Sequence, residues 1–281
     1  MTARRNFMRF TKMHGAGNDS VIIDNRSGEI PEGELSALAI KLCSAHTGVG
    51  ADGLMVVTQS RIADYGMLFY NSDGSLGEMC GNGARCICRY GYENGLAGEE
   101  QRVETTAGIV TGKRIDERRY RVRLNDPSVI DAHRAVRIGD AEYDCFYIEL
   151  GNPGIPHAIV MLDDWDSMSA DKLRELGRAL RWAKEFPKGA NVTFVKHLHD
   201  SAFKAVTFER GVEDFTLACG TGCGSTAAAL AVLGIASGEH VTVSMPGGDI
   251  EVSLDASGGT IKDIYITGPT AIVFKGELFE I

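Results

Sequence analysis

The sequence lacks the features that mark membrane, secreted and nucleic-acid-binding proteins. No stretch approaches the roughly 18 consecutive apolar residues that a membrane-spanning helix needs, and Arg4, Arg5 and Arg9 have no apolar stretch behind them. Positive charge is also scarce: 29 Lys and Arg face 38 Asp and Glu, which gives a formal net charge of −9 and a pI near 5.3. We therefore expect no membrane span, no signal peptide and no broad nucleic-acid-binding surface.

Cysteine pairs of the Cys-x-x-Cys type are absent as well, and the seven cysteines form an odd set. A chain of 281 residues is long enough to bury its own core without a disulfide framework. We therefore expect reduced thiols in a cytoplasmic protein. A zinc site stays open as an alternative, although its usual ligand spacing is missing. The seven are Cys43, Cys80, Cys86, Cys88, Cys145, Cys219 and Cys223.

Glycine, by contrast, is plentiful at 34 residues, and it forms one motif twice. The pattern Cys-Gly-x-Gly occurs at Cys80–Gly83 and again at Cys219–Gly222. Each copy opens a predicted helix, roughly Gly81–Glu93 and Gly220–Ile235. The two cysteines lie 219 − 80 = 139 residues apart, about half of the chain.

The rest of the chain repeats one order of elements in each half. Apolar residues at helical spacing predict amphipathic helices at Glu34–His46 and Ala170–Lys184. We predict two similar α/β domains that meet at a cleft, divided near Asn125–Pro127; one mixed domain with coincidental motifs is the alternative. Short segments rich in β-branched and aromatic residues predict strands at Val21–Asp24, Leu54–Thr58, Met67–Tyr70, Tyr120–Leu124, Phe146–Leu150, Ala158–Leu162, Val192–Val195, Ala205–Glu209, Val241–Ser244, Ile264–Thr267 and Ala271–Phe274.

A cysteine at a helix start is suited to proton transfer. An ordinary thiol has a pKa of about 8.5, and the unpaired N–H groups of a helix N-terminus stabilise its thiolate. The glycines that follow allow a carboxylate to approach those N–H groups. Two such cysteines on opposite faces of an amino-acid α-carbon would remove a proton from one face and return one to the other, with no pyridoxal phosphate.

These segments allow two other interpretations. A redox disulfide between Cys80 and Cys219 is chemically feasible and is interpreted as an oxidative side product. The string Gly48–Gly53 matches a dinucleotide-binding fingerprint in letters, but a helix precedes it and a strand follows, which is the reverse of the required order. We therefore reject a dinucleotide site there.

Several motifs together resemble the diaminopimelate epimerase family. They occur in the order in which the family carries them, from Met13 to Gly248, nearly the whole chain. They are His14–Asp19 (HGAGND), Asn71–Ser75 (NSDGS), Cys80–Cys86 (CGNGARC), Glu209–Val212 (ERGV) and Leu217–Gly222 (LACGTG).

The resemblance implies an α/β (α+β) fold of two pseudo-symmetric domains. Each domain would be a curled, mostly antiparallel sheet around a central helix, with the active site in the cleft between them. Residues 1–124 would form the first domain, joined by the C-terminal strand 270–281, and residues 125–269 the second. The implied reaction interconverts LL- and meso-diaminopimelate in lysine and peptidoglycan synthesis, without a cofactor or a metal, in a homodimer whose ligand is a small amino acid.

The resemblance also implies site residues. Cys80 and Cys219 match the catalytic pair, by family convention the proton donor and the proton acceptor, with roles that exchange when the reaction reverses. His157 and Glu209 match residues that tune the thiols. Residues that match substrate contacts are Asn18, Asn71, Gly81, Asn82, Asn191, Glu209, Arg210, Gly220 and Thr221.

Three departures from the family pattern affect the part of the substrate that does not react. The usual Gly-Asn-Pro-His becomes the longer segment Gly151–His157, so either Asn152 keeps the asparagine's place or Ile155 replaces it; we favour the second. Phe215 adds a bulky ring before Cys219, and Gly53 stands where some members carry a glutamine. A racemase of another amino acid, such as histidine, is therefore the alternative function, and a non-catalytic relative a more distant one.

Overall fold

The computed structural model describes residues 7–77 and 81–279, and the chain divides into two compact units. Unit 1 is Met1–Val122 with Pro269–Ile281, and unit 2 is Arg123–Gly268. The α-helices of the described residues are α1 (Glu32–Cys43), α2 (Gly81–Glu93), α3 (Ala170–Arg181) and α4 (Gly220–Val232).

The strands divide evenly between the two units. Those of unit 1 are β1 (Met8–Gly15), β2 (Asn18–Asp24), β3 (Gly53–Thr58), β4 (Tyr65–Asn71), β5 (Leu76–Gly77), β6 (Glu100–Thr105), β7 (Gly108–Arg114), β8 (Arg119–Arg123) and β18 (Ala271–Leu278). Those of unit 2 are β9 (Pro127–Ile138), β10 (Ala141–Leu150), β11 (Ile155–Met161), β12 (Asn191–His199), β13 (Ala202–Phe208), β14 (Phe215–Thr216), β15 (Val241–Met245), β16 (Gly248–Asp255) and β17 (Lys262–Pro269).

Unit 1 is a mostly antiparallel sheet. Strand β1 pairs antiparallel with both β18 and β2. Strand β2 pairs parallel with β3, which pairs antiparallel with β4. Strand β4 then pairs antiparallel with the short β5 and parallel with β6, and β6, β7 and β8 continue as an antiparallel meander. The chain's last strand, β18, therefore completes the sheet that the first strand begins.

Unit 2 repeats this pairing strand for strand. Strand β10 pairs antiparallel with β9 and β11, β11 pairs parallel with β12, and β12 pairs antiparallel with β13. Strand β13 pairs antiparallel with the short β14 and parallel with β15, and β15, β16 and β17 form the closing meander. The predicted pseudo-symmetric α/β fold class is confirmed, with β18 in the role that β9 has in unit 2.

One helix in each unit is buried on nearly all sides. Ten of the thirteen residues of α2 are buried, and so are ten of the thirteen residues of α4. A helix that is covered all round belongs to the interior of a domain. By contrast, α1 and α3 bury a single apolar stripe: Leu35, Leu38 and Leu42 in α1, and Leu173, Leu176 and Leu180 in α3.

The helix ends differ from the predicted ones by a few residues. Helix α1 stops at Cys43 because Ser44 is extended, with φ −62° and ψ 126°, whereas the prediction continued to His46. Helix α4 stops at Val232, where the prediction continued to Ile235, and Gly234 takes a positive φ of 70° just beyond. No helix in residues 7–77 or 81–279 combines the length and apolar character needed to cross a bilayer.

Candidate active site

In unit 1, a tight hairpin places Asn18 at the start of β2. Gly15 pairs with Asn18 across the β1–β2 hairpin, which leaves a turn of two residues. These are Ala16 with φ 52° and Gly17 with φ 87°. Positive φ at both central residues is the geometry of the tight hairpin turns that match strand twist. The Asn18 Nδ2 group donates to Asp52 Oδ2 at 3.0 Å, so the amide is held by the residue that directly precedes the neighbouring strand β3.

Asn71 ends β4 and is held by the turn that follows it. Its backbone N–H donates to the Ser75 carbonyl at 2.9 Å, and its Nδ2 donates to Ser75 Oγ at 2.9 Å. The Ser75 hydroxyl in turn donates to Asp73 Oδ1 at 2.6 Å. The exposed Asn71 amide therefore has a fixed orientation at the end of its strand.

The first turn of α2 is fixed by a buried cation. The Arg85 side chain is fully buried, and its Nη2 donates to Asn82 Oδ1 at 2.8 Å. Its Nη1 lies 3.4 Å from the Gly81 carbonyl oxygen. A Cβ on Gly15 would lie only 2.9 Å from the Asn82 carbonyl oxygen, so a glycine is required where β1 approaches this helix start. Cys80 directly precedes Gly81 but lies outside the described residues, and its role stays a prediction.

In unit 2, Cys219 is the N-cap residue of α4, with φ −122° and ψ 105°. It is 7% exposed, and its Sγ lies 3.6 Å from Thr221 Oγ1. Burial raises the pKa of this thiol well above its ordinary value, and the nearby Glu209 carboxylate raises it further. The Thr221 hydroxyl and the Gly222 N–H act in the opposite direction but are outweighed. The helix-start effect predicted from the sequence is therefore present, yet the resting group is a thiol.

Glu209 follows β13 and is anchored by the loop that leads to Cys219. Its backbone N–H donates to the Asp214 carbonyl at 3.0 Å. The Thr216 hydroxyl donates to Glu209 Oε1 at 2.6 Å. The segment between β13 and α4 therefore holds both the Glu209 carboxylate and Cys219, and the carboxylate raises the pKa of that cysteine.

Asn191 links the two strands beside this loop. Its Nδ2 donates to the Pro156 carbonyl at 3.1 Å, and its Oδ1 accepts the backbone N–H of Arg210 at 2.8 Å. The Arg210 guanidinium is exposed and donates through Nη1 to the Lys188 carbonyl at 3.2 Å. Its position leaves a cation at the protein surface that can bind a carboxylate in bidentate fashion.

His157 lies opposite Asn191 in the parallel pair of β11 and β12 and is fully buried. Neither ring nitrogen has a hydrogen-bond partner within the described part of the chain. Burial, assisted by the positive charge of Arg210, lowers the pKa of His157 to about 3. The imidazole is therefore neutral at physiological pH and offers one N–H donor and one lone pair.

The three departures from the family pattern have identifiable positions. Asn152 is exposed in the turn between β10 and β11, whereas Ile155 begins β11 two residues before His157 and so shares its face of the strand. The Phe215 ring packs against Phe208 and Phe194, with centroid distances of 5.5 and 6.3 Å, so it serves the core of unit 2.

Gly53 leaves no room for a side chain. A Cβ at this position would lie 2.5 Å from the Phe69 ring and 2.8 Å from the Tyr70 carbonyl oxygen. A glutamine could not be placed there without moving β4. This departure is therefore a consequence of local packing in unit 1.

Three residues of these arrangements were not predicted from the sequence: Asp52, Arg85 and Thr216. Two of them lie inside motifs described above, Asp52 in Gly48–Gly53 and Arg85 in Cys80–Cys86. The signal available for Arg85 was a charged residue among the small residues that open the helix, between Gly83 and Cys86. Among the described residues, no group of three or more His, Cys, Asp or Glu could hold a metal ion.

Solved structures with this fold belong to a class of two-domain epimerases and related proteins. A phenazine biosynthesis protein of the PhzF family from Bacillus anthracis matches with a TM-score of 0.74 and 16% identity, covering 97% of this chain and 99% of that one. A hydroxyproline epimerase from Agrobacterium vitis matches with a TM-score of 0.72 and 17% identity, covering 99% and 94%. At these identities the likeness shows the fold alone.

The sequence identifies the family within this class. The family model of diaminopimelate epimerase matches residues 10–129 and 149–273. The diaminopimelate epimerase of Aquifex aeolicus (strain VF5) is 37% identical over 284 residues, 97% of this chain and 98% of the relative. That of Archaeoglobus fulgidus is 40% identical over 278 residues, 96% and 95%. The chain belongs to the diaminopimelate epimerase family and is an isomerase of the racemase and epimerase class, as its motifs predicted.

Proposed function

We propose that this protein interconverts LL- and meso-diaminopimelate by inverting one α-carbon. The observation that carries the proposal is a buried cysteine at the N-cap of a central helix in one unit, within a topology that the other unit repeats. In that other unit the equivalent helix directly follows Cys80. Relatives that share 37–40% identity over nearly their whole length are diaminopimelate epimerases, which supports this substrate.

The proposed reaction uses the two cysteines as base and acid. A thiolate removes the α-proton and becomes a thiol, while the thiol on the opposite face gives its proton to the carbanion and becomes a thiolate. The resting thiol of Cys219 suits the donor half of this exchange, although the family convention makes Cys219 the acceptor, and the roles exchange when the reaction reverses. N–H groups at the starts of α2 and α4 stabilise the charge that develops on the substrate carboxylate.

Arg210 and Asn191 are the proposed contacts for the distal end of the substrate. The exposed guanidinium can bind the second carboxylate, and its backbone is fixed by the Asn191 side chain. Ile155 contributes no hydrogen bond at the position that an asparagine occupies in other members. Recognition of the distal carboxylate would therefore depend mainly on Arg210.

The apolar Ile155 also favours a second candidate, a racemase of an amino acid with a less polar side chain, such as histidine. The test is α-proton exchange in deuterated water, followed by NMR for LL-diaminopimelate, L-histidine and a panel of other amino acids. We expect exchange in diaminopimelate at a rate at least ten times that of any other compound. Exchange in the panel with none in diaminopimelate would overturn the first assignment and support the second.

Catalysis without a cofactor is part of the proposal, because the thiols alone supply the acid and the base. Activity should survive dialysis against hydroxylamine, which removes pyridoxal phosphate, and against a metal chelator. Loss of activity that added pyridoxal phosphate restores would contradict it. The same chemistry needs reduced cysteines, which supports the expectation of a cytoplasmic enzyme.

We also propose a homodimer. Among the described strands, β18 pairs with β1 alone and so presents an open edge. It exposes Val273 at 53% and Phe274 at 45%, and an apolar open edge is a common pairing surface. Light scattering should give a mass of about twice 30.3 kDa, and Phe274→Asp should shift the protein toward the monomer. A wild-type monomer at micromolar concentration would refute the assembly.

A further inference from the structure

Asp52 lies at the meeting point of three segments of unit 1. Its Oδ2 accepts the Nδ2–H of Asn18 at 3.0 Å and the backbone N–H of Asp19 at 3.1 Å. Its own N–H donates to Asp19 Oδ1 at 2.8 Å, and its carbonyl accepts the N–H of Ser72 at 3.1 Å. One residue therefore joins the β1–β2 hairpin, the start of β3 and the loop that begins at Asn71.

This network is anchored by a buried cation. The Lys12 side chain is 8% exposed, and its ammonium pairs with Asp19 Oδ2 at 2.5 Å. The same ammonium donates to the Gly50 carbonyl, which fixes the loop that leads to Asp52. The two neighbouring carboxylates therefore have distinct partners: Asp19 is neutralised by Lys12, and Asp52 is directed at Asn18.

The Asp52 carboxylate can bind only one end of the Asn18 side-chain amide. An asparagine side chain can present either a carbonyl oxygen or an NH₂ group, whereas an ionised carboxylate only accepts hydrogen bonds. Asp52 therefore binds the NH₂ end and directs Oδ1, an acceptor, to the opposite side. The equivalent positions of unit 2 are apolar. Ile155 is the first residue of β11 and corresponds to Asn18, the first residue of β2. Ala190 directly precedes β12 and corresponds to Asp52, which directly precedes β3.

We propose that Asp52 is a positioning residue that orients the Asn18 amide so that its Oδ1 accepts a hydrogen bond from an ammonium group of the substrate. The proposal rests on the proposed function in one respect, that the ligand is an amino acid. It assigns Asp52 no contact with the substrate and no part in proton transfer. Its effect is on the affinity for ligands that carry the ammonium group.

The test compares two ligands that cannot react, measured by calorimetry. One is α-methyl-diaminopimelate, which keeps both ammonium groups, and the other is pimelate, which has the same main carbon chain and both carboxylates but neither ammonium group. Asp52→Asn can donate to Asn18 Oδ1 and so reverse the amide. We expect it to weaken binding of the first ligand at least tenfold and binding of pimelate less than twofold.

Further variants show whether Asp52 acts through Asn18. Asn18→Ala should give the same selective loss, and the double variant should lose no more than either single variant. Asp24→Asn is the matched control, because Asp24 ends the same strand β2 and pairs with the exposed Arg26; it should bind both ligands as the wild type does. Asp52→Ser, which keeps a small acceptor near the Asp19 N–H, should repeat the selective loss and serves if Asp52→Asn does not fold.

Equal losses for both ligands, or a double variant whose loss is the product of the two single losses, would overturn the proposal. Failure of the proposed function is distinguishable, because the wild type would then exchange the α-proton of another amino acid. In that case the same comparison is made with the α-methyl form of that amino acid and its des-amino analogue. If Asp52→Asn then binds the two ligands with the same affinity ratio as the wild type, the positioning role of Asp52 is wrong.

Discussion

Units 1 and 2 have the same strand order and the same pairings, yet their topologically equivalent positions carry different charges. Asn71 directly follows the residue of β4 that pairs with the first residue of β5, Leu76. Glu209 has the same place in unit 2, because it directly follows the residue of β13 that pairs with the first residue of β14, Phe215. A neutral amide in unit 1 therefore corresponds to a carboxylate in unit 2. Arg85 lies four residues after Gly81, whereas Gly224 lies four residues after Gly220.

The difference teaches that a repeated scaffold does not give two equal proton-transfer groups. In unit 2 the carboxylate of Glu209 adds to burial in raising the pKa of Cys219. In unit 1 the helix start carries a buried guanidinium and no carboxylate at the position equivalent to Glu209. Arg85 has no counterpart in unit 2, because a Cβ on Gly224 would lie 2.6 Å from the Leu124 side chain.

The largest expected effect comes from removing the unit 2 thiol. Cys219→Ala should reduce inversion by about 10³-fold or more, because positioned acid–base groups contribute factors of that order. Exchange of the α-proton without inversion should persist for the stereoisomer that faces Cys80. The measurement is chiral chromatography combined with NMR in deuterated water. Cys145→Ala, which alters a thiol in the unit 2 core, is the control and should invert at close to the wild-type rate.

The next effect concerns stability and pH. The pKa of His157 is lowered from 6.5 to about 3 in the folded protein, so the unfolded state binds the proton more tightly. The stability that the neutral His157 contributes is therefore fully present above pH 6.5 and is lost as the pH falls toward 3. The free energy of unfolding should fall by about 3 kcal/mol between pH 7.5 and pH 4. Urea unfolding at several pH values should show this slope, and His157→Leu should lack it. An equal slope in both proteins would contradict a neutral buried histidine.

Replacing Arg85 tests how much the buried cation of unit 1, which unit 2 lacks, contributes to stability. Arg85→Met removes two hydrogen bonds to the first turn of α2 and should cost about 2–3 kcal/mol in the free energy of unfolding. Arg85→Lys should recover part of this. The comparison variant is Arg89→Met, one turn later in the same helix, which removes the i,i+4 pair with Glu93 and a hydrogen bond to the Thr270 carbonyl and should cost about 1.5 kcal/mol. Equal costs at both positions would show that Arg85 has no special role at the helix start.

The smallest predicted effect is a shift in thiol reactivity. Glu209→Gln removes a negative charge beside Cys219, so the midpoint of its alkylation by iodoacetamide should move to lower pH by about one unit. Asn71→Asp gives unit 1 the charge that unit 2 has, and alkylation of Cys80 should then move to higher pH. Mass spectrometry of the labelled peptides measures both midpoints. Shifts in the opposite directions would break the comparison between the units.

Much of the framework could be predicted because its signals are local. The Cys-Gly-x-Gly motifs marked the starts of α2 and α4, since glycine and a cap residue define a helix start within a few positions. Strand β1 was missed because its sequence, MRFTKMHG, carries Arg9 and Lys12 among its apolar residues, whereas a buried strand usually has apolar residues there. Lys12 in β1 is buried against Asp19, a pairing that only the folded hairpin brings together.

The site could be predicted only in part, because several of its properties depend on long-range contacts. Burial reversed the expected direction of the Cys219 pKa, and burial cannot be read from a motif. Asp52 acts on Asn18, which is 34 residues earlier in the chain. The sequence alone could not show that the half-buried ring of Phe215 packs against Phe208.

The central claim is that two different groups deliver and remove the proton, and isotope labelling tests it most directly. LL-diaminopimelate is incubated in deuterated water, and the first few per cent of product is analysed by mass spectrometry. The account predicts that the meso product carries one solvent deuterium at the inverted carbon while the remaining substrate is unlabelled. Product that retains the original hydrogen, or substrate that gains deuterium as fast as product forms, would show that a single group does both jobs.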